Sequence, residues 1–313
     1  MQHFLQNVIN GVQLGSIYAL IALGYTMVYG VLRLINFAHG DVFMVGAYVG
    51  FYTASKMKLQ EQATLGGALL KLIPVLMVAM VACVILGLVI ERLAYKPLRK
   101  APRLTALITA IGVSLFLENG GQLLFSADPK FYPSITPQGP KGTINAGGLV
   151  ISVDQLVLVI AAALLMLILW YIVSRTRMGK AMRAVSHDAD AAALMGINTD
   201  NVISFTFGLG AALAGAGGVL FASLTYAKVL PLLGVTMGLK AFVAAVVGGI
   251  GSIPGAMLGG LLMGLAESFV KGAPAIGHFE PSRWTDAVAF ILLIVVLLVR
   301  PAGLIGSAAP EKV

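Results

Sequence analysis

The sequence of 313 residues has few charges: only 11% of its side chains are Asp, Glu, Lys or Arg, whereas 58% are hydrophobic. An ordinary soluble domain carries roughly 25% charged residues. This chain therefore has too few charges to cover a water-exposed surface. Lipid is the predicted solvent for most of its surface, and a soluble globular fold is excluded.

The sequence also lacks the short motifs that would nominate an enzyme. It contains no G-x-x-x-x-G-K-[ST] phosphate loop, no H-E-x-x-H zinc motif and no G-x-S-x-G nucleophile elbow. Its four histidines are far apart, and its one cysteine, Cys83, lies in an apolar run, which excludes an intrachain disulfide. We expect no ATPase site, no catalytic residues and no metal site in this chain.

What the sequence has instead is a series of long apolar runs. A bilayer core of about 30 Å requires about 20 mainly apolar residues per helix. The run 237–270 is too long for one crossing, and its Gly-rich centre, residues 248–255, predicts a break between two crossings or two half-helices. The predicted fold is an all-α, polytopic transmembrane bundle of eight or more spans, in one domain over residues 1–313. The candidate spans are residues 8–32, 37–54, 73–90, 104–125, 156–174, 202–227, 237–270 and 287–299.

The net charge of +8 comes from basic residues in the loops, where they act as topological anchors, so no nucleic-acid partner is predicted. Residues 91–103 contain five Lys or Arg and residues 175–201 contain four, whereas residues 126–153 contain two. The positive-inside rule places the first two loops in the cytoplasm and the third outside. Counting crossings then predicts an outer N-terminus and a cytoplasmic C-terminus.

Small residues four positions apart recur in the apolar runs. This spacing allows the backbones of transmembrane helices to approach closely, so each pair predicts a tight helix contact. The pairs are Gly11 and Gly15, Gly46 and Gly50, Gly255 and Gly259, and Gly260 and Gly264.

The basic loop 175–201 contains an alanine-rich stretch that favours a short helix. Met182, Val185, Ala189 and Ala192 recur at helical spacing, so one side of this helix is apolar. Such a helix suits docking into a groove on another protein. It equally suits an interfacial helix that rests on lipid headgroups.

Within this loop, Asp190-Ala191-Ala192 followed by Gly196 resembles the E-A-A-x-x-x-G loop by which ABC importer permeases seat their ATPase subunits. Asp replaces Glu, and the further Ile and Leu-Pro of many such loops are absent. The resemblance implies that the loop couples ATP hydrolysis to transport. The implied coupling residues are Gly179, Arg183, Ala184, Asp190, Ala191, Ala192 and Gly196.

Longer stretches sharpen the resemblance. Residues 14–30, the stretch Asn36-Phe-Ala-His-Gly-Asp41, residues 195–200 and residues 247–257 are together similar to the LivH-type permeases of branched-chain amino acid ABC importers. The likeness covers nearly the whole chain. It implies a location in the bacterial inner membrane. The implied partners are a LivM-type second permease, two cytoplasmic ATPase subunits that use ATP, and a periplasmic protein that delivers leucine, isoleucine or valine.

Related permeases carry urea, short amides or other amino acids, so these cargoes are alternatives. A stand-alone secondary carrier is a second alternative, and an intramembrane enzyme is a third. The carrier would show buried charges in corresponding inverted halves. The enzyme would need a catalytic group with a partner at membrane depth.

Polar residues at the start of the second span are candidates for the pore or gate, because ionisable groups at membrane depth are costly and mark function. These are Asn36, His39 and Asp41. By the predicted topology they lie near the cytoplasmic end of the span. We favour a helix cap or a gate hinge over a substrate contact there.

Further pore or gate candidates lie deeper in the chain. These are Glu118, Asn119 and Glu267, which face either the pore, a sister permease or water at the outer leaflet. The two Glu lie on different helices, and we expect no basic partner near them. Gly248, Gly249 and Gly251 mark a break that either lines an aqueous cavity or forms a tight turn beside the ATPase. Because branched-chain side chains are apolar, we expect few strong substrate contacts.

Overall fold

A computed structural model describes residues 1–59, 65–99, 101–136, 142–146, 148–275 and 280–306 of the chain. Within these ranges the chain is mainly helical, with two small two-stranded sheets. The helices are α1 (Gln2–Leu32), α2 (His39–Lys56), α3 (Leu65–Ile90), α4 (Arg103–Phe125), α5 (Val153–Arg175), α6 (Arg177–His187), α7 (Ala189–Leu194), α8 (Thr199–Leu224), α9 (Leu233–Gly248), α10 (Ile253–Lys271) and α11 (Thr285–Val299).

Shorter elements connect these helices. A π-helix (Glu91–Tyr95) and a 3₁₀ turn (Lys96–Leu98) continue α3, and another 3₁₀ turn (Pro281–Trp284) precedes α11. The strands are β1 (Lys130–Phe131), β2 (Thr143–Ala146), β3 (Leu149–Ser152) and β4 (Lys228–Val229), paired antiparallel as β1 with β4 and β2 with β3.

Among the described residues, seven helical segments are long and apolar enough to cross a bilayer. They are α1, α3 with the π-helix and turn that continue it, α4, α5, α8, α10, and the 19-residue segment Pro281–Val299 that ends with α11. The apolar α9 is shorter, at 16 residues, and α2 has 18 residues. These helices confirm the predicted all-α, polytopic bundle. The predicted break in residues 237–270 is also confirmed, because α9 ends at Gly248 and α10 begins at Ile253.

One end of the bundle, which we call the strand face, carries the four strands. The pairing of β1 with β4 holds the loop after α4 against the loop after α8. The side chain of Gln6 donates a hydrogen bond to the carbonyl of Val150 in β3 (2.9 Å) and accepts one from its N–H (3.0 Å). The start of α1 therefore lies on the strand face.

The opposite end, which we call the loop face, carries the loop around α6 and α7. Lys96 forms an ion pair with Asp200 at 2.8 Å, which joins the end of α3 to the start of α8. Residues 300–306 follow α11, and there the N–H of Leu304 donates to the carbonyl of Val247 in α9 (2.9 Å). The turn between α9 and α10 and the chain after α11 thus lie on this face.

Helices α1 and α8 form the centre of the bundle. In the most apolar 18-residue stretch of each helix, 78% of the residues of α1 and 89% of those of α8 are buried. The corresponding shares are 17% for α4 and 11% for the segment Pro281–Val299. The peripheral helices therefore offer their apolar side chains to lipid or to a second subunit.

Glycines allow the central helices to pack backbone to backbone. A Cβ on Gly15 of α1 would lie 2.8 Å from the Cα of Leu261 in α10, and Gly264 of α10 has no room for a Cβ against Gly15. In the same way Gly46 of α2 lies directly against Gly215 of α8. These contacts confirm that the small-residue pairs mark tight helix packing.

Candidate functional site

The chain between α1 and α2 returns into the bundle before α2 begins. α1 ends at the loop face, yet His39, the first residue of α2, packs against Gly24 of α1 and Gly210 of α8. Gly24 lies two helical turns before the end of α1, and Gly210 lies three turns after the start of α8. At 1.5 Å per residue, His39 lies about 12 to 16 Å inside the loop face. His39 therefore lies well inside the loop-face ends of α1 and α8.

This depth corrects the expectation for His39, which does not lie at the end of a span as expected for residues 36–41. α1 stops at Arg33, whose φ of 53° is left-handed, and the following residues to Phe37 are not helical. The start of α2 can enter the bundle because Gly40 lies against α9, where a Cβ on Gly40 would come within 2.9 Å of the Cα of Gly238. Only glycines leave room for backbones this close.

The expected helix cap is also wrong. The residue before α2 is Ala38, and no side chain caps the helix. The side chain of Asn36 is instead buried, and its Oδ1 accepts a hydrogen bond from the hydroxyl of Tyr95 (3.0 Å). The His39 ring lies edge-on to Tyr25, with centroids 4.8 Å apart. Asn36 therefore ties the returning segment to the π-helix on the loop face.

A cavity of about 180 Å³ lies in front of the first turn of α2. Helices α1, α2, α4 and α9 supply its walls, which are mainly apolar and include Phe37, Leu115 and Phe242. Two carboxylates interrupt this apolar lining, those of Asp41 and Glu118. No Lys or Arg is found among the described residues that line it.

Asp41 is 1% exposed, yet half of its carboxylate lacks a partner. Its Oδ2 accepts a hydrogen bond from the hydroxyl of Ser114 in α4, whereas its Oδ1 has no hydrogen-bond partner among the described residues. Glu118 follows Ser114 by four positions and so lies on the same side of α4. The wall of the cavity thus holds a carboxylate oxygen that lacks a partner among the described residues, although that oxygen is closed off from solvent.

The other acidic and amide candidates do not join this site. Asn119 is exposed, and its side chain donates to the carbonyl of Leu115 within α4 (2.7 Å). Glu267 is buried between α1, α9 and α10, where its carboxylate accepts hydrogen bonds from the hydroxyl of Tyr18 (2.5 Å) and from Nζ of Lys240 (3.0 Å). The expectation that no basic partner lies near Glu267 is therefore wrong.

Gly248, Gly249 and Gly251 form the turn between α9 and α10 on the loop face. Gly249 and Gly251 have φ values of 108° and 95°, which L side chains rarely adopt. The N–H of Ile305 donates to the carbonyl of Gly248 (3.0 Å), so the chain after α11 packs on this turn. Gly251 also borders a cavity of about 80 Å³ together with Arg183 of α6. Of the two alternatives expected for these glycines, a break that lines a cavity or a tight turn, the structure shows the tight turn.

Two helices occupy the loop 175–201. The hydroxyl of Thr176 caps α6 by accepting a hydrogen bond from the N–H of Gly179 (3.1 Å). Asp188 separates the helices and caps α7, because its Oδ1 accepts hydrogen bonds from the N–H groups of Asp190 (3.0 Å) and Ala191 (2.9 Å). Capping by Thr and Asp explains why these short helices begin at these residues.

Most of the apolar stripe of this loop faces inward, and only Ala189 of its four residues is exposed. Met182, Val185 and Ala192 are buried, and α6 packs against α1, α5 and α8. The stripe is therefore not the surface that could dock into another protein, because the ends of the chain's own helices already cover it. The large apolar side chains of this loop that are exposed are Leu194 (89%) and Met195 (83%).

The residues implied in ATPase coupling divide into two groups. Gly179 lies against the last turn of α5 with no room for a Cβ, and the guanidinium of Arg183 donates to the carbonyl of Val173 in α5. Ala192 is buried and Ala184 is half-buried. Arg183 is exposed despite its hydrogen bond to α5, and the other implied residues that face solvent are Asp190, Ala191 and Gly196.

Sequence reasoning missed an ion-pair cluster on the loop face. The carboxylate of Glu91, in a residue that is 0% exposed, contacts Arg99 and accepts a hydrogen bond from the hydroxyl of Ser204 (2.9 Å). Arg99 also contacts Asp200, which pairs with Lys96. The cluster joins the π-helix after α3 to the first turns of α8, directly after α7.

Only some of the functional residues that sequence reasoning missed could have been found from the sequence. Lys240 is a lone cation within the apolar run 237–270, and an ionisable residue at that depth is a candidate by default. Glu91 and Asp200 are distant in the chain, and nothing in their local patterns indicates that they share Arg99. Ser114 is one of many hydroxyl residues in apolar helices.

Comparison with known proteins places this arrangement in a family. The family profile described as branched-chain amino acid transport system / permease component matches residues 7–297. The chain is 45% identical to the high-affinity branched-chain amino acid transport system permease protein BraD of Pseudomonas aeruginosa, with 99% of this chain and 98% of BraD covered.

The chain is also 45% identical to the permease protein LivH of Escherichia coli K12, again with 99% of this chain and 98% of the relative covered. A solved structure, PsaBC from Streptococcus pneumoniae in complex with Fab, has a TM-score of 0.47 and 15% identity, over 96% of this chain and 93% of that chain. The profile and the curated relatives show that this chain belongs to the family of branched-chain amino acid transport permease components.

Proposed function

We propose that this chain is one permease subunit of an ATP-driven importer whose cargo is a branched-chain amino acid. One observation carries the proposal: two curated relatives, each 45% identical over 99% of this chain, are named high-affinity branched-chain amino acid transport permease proteins. The chain hydrolyses no ATP and binds no cofactor in this proposal. Its role is to provide half of a path through the membrane.

The proposed partners are a second permease of LivM type, two cytoplasmic ATPase subunits and a periplasmic binding protein. The cavity between α4 and α9 supports a second permease, because it lies at the periphery of the single chain beside a helix with few covered side chains. Phe116 and Leu124 of α4, for example, are 75% and 79% exposed. A second subunit on this side would enclose the cavity in a shared path.

The decisive experiment is reconstitution of the complete complex in liposomes with labelled leucine. We expect uptake only with ATP on the ATPase side and with the binding protein on the opposite side. A tag on this chain should also purify a second permease and two ATPases in mild detergent. Uptake by this chain alone, driven by an ion gradient without ATP, would instead establish a secondary carrier.

We further propose that the loop face is cytoplasmic and that the strand face is outside. The basic loops 91–103 and 175–201 support this orientation through the positive-inside rule. The orientation is tested with one cysteine on each face, replacing Phe131 (74% exposed) on the strand face and Leu194 (89% exposed) on the loop face. The native Cys83 is buried and contributes little background.

A membrane-impermeant maleimide should label Phe131→Cys in spheroplasts, whereas Leu194→Cys should be labelled only in inverted membrane vesicles. The opposite pattern would reverse the orientation and would remove α6 and α7 from the reach of cytoplasmic ATPases.

For coupling, we propose that the ATPase contacts the exposed end of α7, around Ala191, Leu194 and Met195. Gly179 and Arg183 act indirectly, because they hold α6 to the end of α5. We expect Leu194→Asp to abolish stimulation of ATPase activity by the loaded binding protein. Lys180→Asp, an exposed change on α6, is the matched control and should retain it. Equal loss in both variants would contradict the assignment.

A further inference from the structure

The cavity at the start of α2 has two carboxyl groups that no described Lys or Arg in its lining balances. Asp41 and Glu118 both face it, and its described lining contains no Lys or Arg. An isolated carboxylate in an apolar environment is expensive unless it is paired or hydrogen-bonded. Glu267, by comparison, is paired with two lysines at 3.0 Å. The cavity is therefore built for an occupant that brings positive charge and hydrogen-bond donors.

Asp41 and Glu118 together mark the end of the cavity at which such an occupant would bind. Ser114 holds Oδ2, so the carboxylate has a fixed orientation, while the buried Oδ1 has no partner among the described residues. Glu118 lies one helical turn beyond Ser114 on the same side of α4. A group with several N–H donors could bind both carboxylates at once, as an ammonium group with three donors can.

The rest of the cavity is suited to a small apolar group. Phe37 and Phe242 contribute aromatic walls, and Ile111 and Leu115 contribute aliphatic ones. A ligand site of this kind, mainly apolar with a few polar groups that fix orientation, is typical of small-molecule binding. The cavity thus combines an anionic end with an apolar wall on the scale of a few carbon atoms.

We propose that this cavity binds the α-ammonium group of the transported amino acid between Asp41 and Glu118, with the branched side chain against the aliphatic and aromatic walls. The identity of the cargo rests on the proposed function, whereas the ammonium selectivity rests on the cavity itself. In place of the expected few strong substrate contacts, this site offers charged contacts from two carboxylates.

The site is tested by ligand protection of a cysteine in the complete importer complex. Leu115 lines the cavity and is 53% exposed in the single chain. In Leu115→Cys we would measure the rate of alkylation by N-ethylmaleimide, with Cys83 buried. Leucine and 3-methylbutylamine, which keeps the ammonium and the branched tail, should slow the reaction. The acid 4-methylpentanoate, which has the tail without the ammonium, should not.

Two neutralising variants probe the carboxylates separately. Asp41→Asn and Glu118→Gln should each raise the concentration of 3-methylbutylamine needed for protection by about tenfold, as expected when a charged hydrogen bond is weakened. Asp128→Asn removes the same charge from an exposed loop on the strand face and should leave protection unchanged. Glu118 is only partly buried, so its variant keeps the test valid even if Asp41→Asn fails to fold.

Three results would overturn the proposal. The first is equal protection by 4-methylpentanoate, and the second is protection that neither variant changes. The third is a cysteine that does not react even without ligand, because the second subunit fills the cavity. Leucine uptake by the unaltered complex is measured separately. Absent uptake with ammonium-selective protection would refute the proposed cargo but not the site. Normal uptake without protection would refute the site alone.

Discussion

Arg99 is predicted to be far more important for stability than its neighbour Lys96, although both contact Asp200. Glu91 is fully buried, and the Arg99 side chain is only 18% exposed, whereas the Lys96 and Asp200 side chains are 51% and 47% exposed. Removing one partner of a buried ion pair costs about 3 to 5 kcal/mol, because it leaves an uncompensated charge. An exposed pair contributes about 0 to 1 kcal/mol.

We therefore expect Arg99→Met to destabilise the protein by several kcal/mol and Lys96→Met to have little effect. The measurement is the fraction of monodisperse protein that remains in detergent after heating over a range of temperatures. Adding Glu91→Gln to Arg99→Met removes the unpaired charge and should restore much of the lost stability. The reasoning is refuted if Lys96→Met is as damaging as Arg99→Met, or if Glu91→Gln makes the Arg99 variant worse.

Two further predictions concern packing and capping. Gly264→Val should abolish the yield of monodisperse protein, because Gly264 has no room for a Cβ against Gly15. The control Gly112→Val lies at a position with open space and should purify normally. Equal yields of the two variants would contradict this prediction. Asp188→Ala should cost about 1 kcal/mol of helix stability by removing the cap of α7. Hydrogen exchange should then accelerate at Ala191, whose N–H donates to Asp188, and an unchanged rate would argue against the cap.

Composition and length were sufficient to predict the fold class. Low charge, long apolar runs and glycine spacing all report on the solvent and on close helix contacts, which are local or periodic properties of the chain. The break near Gly248 was likewise visible, because glycine and proline at that density oppose a continuous helix. The resemblance of residues 36–41 to one family also named the function class.

The position of the candidate site was not predictable in the same way. Residues 36–41 follow an apolar run, so hydropathy alone places them at the end of a span. Their actual depth depends on Gly40 meeting Gly238 of α9, which is a contact distant in sequence. The pairing of Asp41 with Ser114 is equally non-local. The apolar stripe of α6 was visible in the sequence, but what covers it was not.

The return of the chain into the bundle after α1 has a consequence for biosynthesis. Irregular backbone at membrane depth is tolerated only where protein or water surrounds it, since lipid offers no hydrogen bonds. The protein that surrounds the start of α2 comes from Gly210 and Gly238, which leave the ribosome long after α2 itself. The first helices therefore cannot reach their final arrangement as they are inserted, and α2 must settle late, when α8 and α9 arrive.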